Sequence, residues 1–171
     1  ILEENPQFDY AVIGEGEVTL AELVTCLANN GDPADVKGII FRRTPGMDIH
    51  STPPRPLLPN LDTLPFPARS LMKKEHYLWT PPRQGPGPIA SLITQRGCPF
   101  RCAFCSQHSM FTRQIRERSV DQVLDEIDEI VNRYGIRHIV ILDDTFVLRK
   151  ERVMQICAGI KMRGLAFTWE N

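Results

Sequence analysis

The sequence predicts an α/β protein built from two pieces, and three observations lead to this fold class. From residue 89 onward, short apolar runs alternate with helical patterns in the order strand, helix, strand, helix, strand, which is typical of a parallel sheet with right-handed crossovers. Near the other end, residues 9–14 and the helical pattern after them indicate the last strand–turn–helix unit of a doubly wound (Rossmann-like) domain. Between the pieces, eleven prolines occur from Pro45 to Pro88, and proline excludes long helices and central strands. We therefore expect domains at 1–43 and 89–171, joined by a proline-rich linker at 44–88.

The composition narrows the function classes. The chain has 171 residues and a formal net charge of −1 at pH 7, so no overall field favours nucleic acid or a membrane surface. It contains no apolar run of about 18 residues and no secretory signal, so we expect no membrane span. Five cysteines are an odd number and three are crowded together, which favours a reducing, cytoplasmic compartment over a disulfide framework. Because the chain starts at Ile1 without Met and stops just after an apolar run, we interpret it as a fragment.

The elements of the first domain follow from apolar spacing. Residues 9–14 predict a buried strand that ends in a tight Gly-Glu-Gly-Glu turn, which serves either as a plain turn or as a close backbone approach to a ligand. A helix follows, and 36–42 predicts a strand that pairs with 48–52 across 44–47. The helix carries its apolar face at four positions, Leu20, Leu23, Val24 and Leu27.

The linker is expected to be ordered, since a disordered linker would be more polar. It carries Leu58, Leu61, Leu64 and Phe66 between its prolines. These side chains predict that the linker lies against a protein surface.

In the second domain, the sequence predicts strands at 89–94, 137–142 and 165–169. The first helix has apolar residues at nearly every i, i+3, i+4 and i+7 position from Val120 to Tyr134. Ser119 is a good N-cap, Gln122 completes a capping box, and Gly135 is a good stop. A second helix is expected from about Lys150 to Met162, ended by Gly164.

Three cysteines follow the first of these strands with the spacing C-x3-C-x2-C. They are Cys98, Cys102 and Cys105, and gaps this short let three sulfurs converge on one point. Three thiolates suit an iron–sulfur cube of which one iron stays open to another ligand. The alternative is a structural zinc site with His108 as a fourth ligand, although the second ligand pair that zinc folds normally have is missing. Cys26 and Cys157 lie at helical core positions and are expected to be structural, as is His138.

The cysteine segment resembles the signature of the radical S-adenosylmethionine (SAM) enzymes, C-x3-C-x-aromatic-C, with Phe104 as the aromatic residue. The resemblance extends to the subgroup that carries a cobalamin-binding domain before its radical SAM barrel. It involves 97–100, 116–119 and 142–146 in the barrel, Leu61–Pro67 in the linker, and Phe8–Glu17 as the tail of the cobalamin domain.

The resemblance implies a fold, cofactors and partners. The second domain would be the first part of a partial (β/α)6 TIM-like barrel, open on one side, in which Cys98, Cys102 and Cys105 hold a 4Fe–4S cluster. The open iron would bind SAM, and one electron from a donor such as flavodoxin or ferredoxin would cleave SAM to a 5′-deoxyadenosyl radical. The subgroup implies cobalamin as a further cofactor and a small-molecule substrate.

The same resemblance suggests binding residues. Phe104 is either the adenine neighbour or a core residue. Asp143 and Asp144 stand where the family has its Gly-Gly-Glu motif, so that one of them accepts hydrogen bonds from the SAM ammonium, unless both are plain surface or capping groups. Glu170 is a further SAM candidate or a capping group, and the turn Gly14, Glu15, Gly16, Glu17 is a weak candidate for cobalamin.

Five arginines flank the cysteines, with only Glu117 opposing them nearby in sequence. They offset the charge of the cluster, or hold a phosphate-bearing substrate or nucleic acid. The five are Arg96, Arg101, Arg113, Arg116 and Arg118.

The leading hypothesis is therefore a radical SAM enzyme, with cobalamin-dependent methyl transfer or related radical chemistry. One alternative is a radical SAM methylthiotransferase acting on RNA or protein, and another is a zinc-stabilised binding module without catalysis. We expect the chain alone to lack turnover, because half of the barrel rim would be missing.

Overall fold

The computed structural model describes residues 2–43, 48–72, 88–107 and 111–171. The predicted turn at 44–47 and His108 lie outside the described residues. The chain divides into two compact units. The first comprises Ile1–Pro59 with Phe104–Phe111, and the second comprises Asn60–Ala103 with Thr112–Asn171.

The first unit contains a three-stranded antiparallel sheet. Its strands are β1 (Tyr10–Val12), β2 (Ile39–Arg42) and β3 (Ile49–Ser51), in the order β1-β2-β3. The predicted pairing of 36–42 with 48–52 is confirmed. All three strands are antiparallel, and the interpretation of β1 and α1 as the end of a doubly wound domain stays a prediction. Ile39 pairs with Val12, so β2 begins at the end of the sheet where β1 finishes and runs the opposite way.

Helix α1 (Gly16–Ala28) covers this sheet through a narrower face than the sequence predicts. Thr19 and Leu23 are buried, and Leu23 joins Val36, Ile39 and Phe41 in a small core. The other three predicted core positions, Leu20, Val24 and Leu27, are exposed. The 3-10 turn Pro33–Asp35 follows α1.

The described linker residues make contacts within each unit. In the first unit, Arg55 Nε donates to Thr19 Oγ1 at 2.7 Å and Leu58 N donates to Glu15 Oε2 at 3.1 Å. In the second unit, Leu61 is buried within the 3-10 turn Leu61–Thr63. A further 3-10 turn spans Arg69–Leu71.

The second unit contains a parallel sheet and a short antiparallel pair. The elements are β4 (Ile89–Leu92), β5 (Gln95–Arg96), β6 (Arg116–Glu117), β7 (His138–Ile141) and β8 (Thr168–Glu170). The parallel sheet has the order β4-β7-β8, so the predicted parallel arrangement of three strands is confirmed. The antiparallel pair of β5 and β6 was not expected from the sequence.

Two helices cover the parallel sheet. Helix α2 (Val120–Asp128) continues as a π-helical turn, Glu129–Arg133, and helix α3 (Lys150–Met162) follows a 3-10 turn at Phe146–Leu148. The core between helices and sheet is apolar and contiguous. It contains Ala90, Leu92, Val123, Ile127, Ile130, Val131, Ile136, Ile139, Ile141, Phe146, Ile156 and Leu165.

The ends of these helices follow the predicted capping, with one correction. Ser119 Oγ accepts the N–H of Gln122 at 3.2 Å, and Gly135 and Gly164 stop the helices at positive φ. Gln122 does not return the bond to Ser119. Asp62 takes that place, since its Oδ1 accepts the Ser119 N–H at 2.8 Å and its carbonyl accepts Gln122 Nε2 at 2.7 Å. Among the described residues, no helix is both long and apolar enough to cross a bilayer.

Candidate metal and cofactor site

The polar residues singled out by the sequence follow three neighbouring parallel strands. The cysteine segment follows β4, Asp143 and Asp144 follow β7, and Glu170 and Asn171 lie at the end of β8. Because β4, β7 and β8 are hydrogen-bonded neighbours running the same way, their carboxyl ends share one edge. Active groups in α/β folds gather at this edge.

The base of the cysteine loop is closed by the antiparallel pair of β5 and β6. We call residues 94–97 and 114–118 the neck of the loop. Gln95 pairs with Glu117, and Arg96 pairs with Arg116. Beyond this ladder, Cys98 N donates to Thr112 O at 3.3 Å. The backbone that leads to the first cysteine is therefore held by the backbone that leaves the loop.

Gly97 is required at the neck for two physical reasons. Its φ is +92°, a region that L side chains rarely adopt. A Cβ at this position would also lie 2.2 Å from the carbonyl oxygen of Gln114. Any side chain would force the two strands of the neck apart.

Asp143 is buried at the end of β7, and both of its carboxylate oxygens accept hydrogen bonds. Its Oδ1 accepts the N–H of Thr94 at 2.6 Å and that of Gln95 at 3.2 Å, and its Oδ2 accepts the Thr94 hydroxyl at 2.5 Å. Burial raises the pKa of Asp143, while these hydrogen bonds and the charge of Arg152 oppose the rise. The carboxyl group is thus directed at the neck backbone.

Arg152, on α3, approaches the same point from the helix layer. Nη1 donates to Thr94 Oγ1 at 3.1 Å, and Nη2 donates to Thr94 O at 3.1 Å and to Arg118 O at 2.9 Å. Burial lowers the pKa of Arg152, and the carboxylates of Glu117 and Asp143 oppose that shift. One guanidinium therefore contacts both strands of the neck.

The other rim residues differ in their accessibility. Asp144 is exposed, directly after buried Asp143. Glu170 is half-buried, and Asn171 donates to Ile141 O at 3.1 Å and to Asp143 O at 3.3 Å. Of the two adjacent carboxylates, only that of Asp144 is open to solvent.

The three loop cysteines are free thiols in the structure. Cys98 is half-buried, while Cys102 and Cys105 are exposed. Cys98 and Cys102 belong to the second unit and Cys105 to the first. The described residues contain no preformed group of three His, Cys, Asp or Glu side chains that could hold a metal. Three cysteines outside any disulfide within eight residues of sequence supply the type of donor that iron–sulfur clusters use.

The two remaining cysteines and one histidine have structural surroundings. Cys26 packs against the core of the first unit, and Cys157 lines a small apolar cavity in the core of the second unit. His138 is buried, and its Nδ1 lies 2.7 Å from Thr168 Oγ1.

Phe104 is 94% exposed. Its alternative role as a core residue is therefore wrong, since a packed aromatic side chain loses most of its contact with water. The side chain is free to contact a ligand.

The arginines near the loop do not form one free basic surface. Arg116 is buried. Arg118 Nη1 lies 2.5 Å from the buried Glu126 carboxylate, which the sequence did not bring into view because it is eight residues away. Arg113 donates to Phe100 O at 3.2 Å. Three of the five arginines are thus buried or paired within the protein.

The Gly-Glu-Gly-Glu turn follows β1 in the first unit. Gly14 has φ +75° and open space around the position of a Cβ, so its conformation alone explains the glycine. Glu15 accepts the N–H of Leu58. This side chain ties the linker to the turn.

Sequence reasoning missed Thr94, Gln95 and Arg152 as site residues. The one available signal was Arg152 itself, a charged residue at a helix position that shares a face with Ile156. A charge on a core-facing position indicates a buried partner.

A three-cysteine loop at the carboxyl end of a parallel strand places cluster-binding or metal-binding side chains where α/β proteins hold their active groups. Comparison with known families is more specific. Residues 92–170, which include the three-cysteine loop, match the model of the Radical SAM superfamily.

Similar proteins cover nearly the whole chain. An uncharacterized methyltransferase of Pyrococcus horikoshii is 36% identical over 98% of the chain and 35% of its own length. An anaerobic magnesium-protoporphyrin IX monomethyl ester cyclase of Rubrivivax gelatinosus is 30% identical over 99% of the chain and 30% of its length. Among solved structures, the apo form of the cobalamin-dependent SAM radical enzyme OxsB is similar, with a TM-score of 0.71 and 25% identity. The match covers 98% of the present chain and 23% of the OxsB chain. The chain thus spans about a third of the length of these curated relatives.

Proposed function

We propose that the protein is part of a cobalamin-dependent radical SAM enzyme. Its 4Fe–4S cluster is bound by Cys98, Cys102 and Cys105. The main support is a loop that contains three free thiols and is closed at its base by the β5–β6 ladder, after the carboxyl end of β4. This loop lies within the segment that matches the Radical SAM superfamily. When bound, the 4Fe–4S cluster and SAM supply a 5′-deoxyadenosyl radical after one-electron reduction. We further propose that β4, β7 and β8 are the first strands of a partial (β/α)6 barrel, and that the reaction is methyl transfer or related radical chemistry on a small molecule.

The chain's own residues divide the work of binding. The three thiolates ligate the cluster and leave one iron open for SAM. Asp144 is exposed at the end of β7. Its carboxylate accepts a charge-assisted hydrogen bond from the ammonium group of SAM. Phe104 offers an exposed ring for the adenine, and Glu170 lies at the neighbouring strand end.

Cobalamin is proposed as a further cofactor. The relative OxsB is named a cobalamin-dependent enzyme, and its likeness includes the first unit. Gly14 and Gly16 have no side chain after the carboxyl end of β1, and Glu17 lies in the first turn of α1. The proposed electron donor is a flavodoxin or ferredoxin, which the one-electron chemistry requires.

Anaerobic reconstitution with iron and sulfide tests the cluster. We expect about four irons, absorbance near 400 nm as an order-of-magnitude position for such clusters, and loss of most bound iron in Cys98→Ala, Cys102→Ala and Cys105→Ala. Cys26→Ala and Cys157→Ala are matched controls, because both cysteines pack in cores. Stoichiometric zinc without iron, or iron that is unchanged in the three loop variants, would overturn the proposal.

SAM binding is tested separately on the reduced, reconstituted chain. The electron paramagnetic resonance signal of the cluster should shift when SAM is added. Asp144→Asn should weaken SAM binding by roughly tenfold or more, since bonds to a charged group are worth about 1.5–3 kcal/mol. The control is Asp121→Asn, an exposed carboxylate at the start of α2. Equal SAM affinity in both variants would remove Asp144 from the site.

A further inference from the structure

We infer that Asp143 and Arg152 form a buried brace that positions the neck of the cysteine loop, and that Asp143 acts on the loop instead of contacting SAM. The inference rests on the proposed function, since the loop it positions is the proposed cluster site. Its members are Thr94, Asp143 and Arg152, all buried in the second unit.

The hydrogen bonds of Asp143 identify its target. An ionised carboxylate offers about four acceptor positions, and three are filled by Thr94 N, Thr94 Oγ1 and Gln95 N. These donors belong to Thr94 and Gln95, which follow the end of β4 at Leu92. The bonds therefore fix loop backbone, while the strand ladder of the sheet fixes β4 itself.

Thr94 is the junction of the brace, and all of its polar atoms are used. Its hydroxyl donates to Asp143 and accepts from Arg152, and its carbonyl accepts from Arg152 and from the N–H of Arg118 at 3.0 Å. This residue is completely buried. A hydroxyl between a carboxylate and a guanidinium has one orientation in which both bonds form, so it fixes the geometry of the junction.

Arg152 extends the brace to the other strand of the neck. Nη2 bonds the carbonyls of Thr94 and Arg118, so the start and the end of the loop are held by one group. The charges facing the guanidinium are Asp143, through Thr94, and Glu117, whose Oε1 lies 3.7 Å from Nε. Removing the Asp143 charge would leave Glu117 as the remaining one of these two carboxylates that face Arg152.

The brace is tested first without any cofactor, by hydrogen exchange of the purified chain. Thr94→Val removes the hydroxyl, Asp143→Asn removes the charge and replaces one acceptor oxygen by a donor NH2 group, and Arg152→Lys removes the two-carbonyl contact. Each should speed exchange of peptides covering the neck by at least about tenfold, because local opening free energies set exchange rates. Thr94→Ser keeps the hydroxyl and should restore protection to within about twofold of the unmodified chain.

Asp125→Asn serves as the matched control, since Asp125 pairs with Arg163 on the exposed side of the helices. It should leave neck exchange unchanged. Exchange in α2 tells positioning from general destabilisation. If α2 and the neck speed up by the same factor in all three variants, the brace is only a part of the fold and the inference is overturned.

The second measurement uses the reconstituted chain and follows the change that SAM causes in the electron paramagnetic resonance signal of the cluster. In Thr94→Val and Asp143→Asn we expect iron to bind but the cluster signal to broaden and SAM to bind more weakly, with Thr94→Ser again close to the unmodified chain. Loss of SAM binding in Asp143→Asn with unchanged neck exchange would make Asp143 a SAM ligand and refute the brace. If the unmodified chain binds no iron, the proposed function fails, while the cofactor-free exchange experiment still decides whether the brace exists.

Discussion

The two units of the chain use their helices in opposite ways. In the second unit, α2 buries its apolar stripe, including Val123, Ile127 and Ile130, against the parallel sheet. In the first unit, α1 buries Leu23 but leaves Val24 57% exposed. Both helices have apolar residues at helical spacing, so the pattern alone does not tell how much of a stripe finds a partner.

The units also differ in how they hold charge. The second unit buries Glu126 between Arg69 and Arg118, at 2.5 Å from each. The first unit places its ion pairs at the surface, such as Arg43 with Asp32 at 2.8 Å. Buried pairs depend on both partners being present, whereas exposed pairs are screened by water.

Neutralising the buried acid should have the largest effect. Glu126→Gln leaves Arg69 and Arg118 without a counter-charge and should lower the free energy of unfolding by about 3–5 kcal/mol. The matched change in the first unit is Glu22→Gln, which breaks a more exposed pair with Arg55 and should cost less than about 1 kcal/mol. Urea unfolding with region-resolved hydrogen exchange measures both. Equal costs would mean that the second unit does not hold its charge in a dry environment.

Glycine replacement is expected to rank second. Gly97→Ala combines a left-handed backbone with a Cβ 2.2 Å from a carbonyl oxygen, and should cost about 2–5 kcal/mol from conformational strain and overpacking. Gly14→Ala has a similar φ but open space, and should cost only about 1–2 kcal/mol. Thermal and urea unfolding of the two variants give the difference. If Gly14→Ala costs as much as Gly97→Ala, the close contact with Gln114 is not the decisive feature.

Trimming the apolar faces should have a smaller effect. Ile127→Val removes one buried methylene and should cost about 0.5–1.5 kcal/mol. Val24→Ala removes two methyl groups from an exposed position and should change the stability by no more than about 0.5 kcal/mol. A larger cost for Val24→Ala would show that the exposed face of α1 is covered when the chain is in solution.

The smallest expected effect is on the pH dependence of stability, to which Asp143 and Asp32 contribute with opposite sign. Burial raises the pKa of Asp143, so the folded chain binds this proton more tightly, and stability falls as the pH rises above the ordinary carboxyl pKa of about 4. The pKa of Asp32 is lowered by the N–H of Ala34 and by Arg43, so its stabilising contribution is present above that pH and is lost on acidification. Asp143→Asn and Asp32→Asn should change the slope of stability against pH in opposite directions. Changes of the same sign would contradict this.

Most of the second unit could be predicted from its sequence because local and global signals agree there. The spacing from Val120 to Tyr134 marked α2, and the helix from Lys150 to Met162 has the predicted bounds. Parallel pairing followed from the alternation of strands and helices. In the first unit the same reasoning predicted the elements but not the antiparallel direction of β2, which depends on where the chain re-enters the sheet.

The sequence by itself determined the three-cysteine loop, its place after a strand and the match of residues 92–170 to the Radical SAM superfamily, because covalent spacing and residue type carry that information. Only the tertiary structure decided that Asp143 faces the neck while Asp144 faces water, since adjacent residues point in different directions. It also decided that Arg152, fifty-eight residues from Thr94, holds both strands of the neck. Contacts between residues far apart in the chain depend on packing, and no local pattern encodes them.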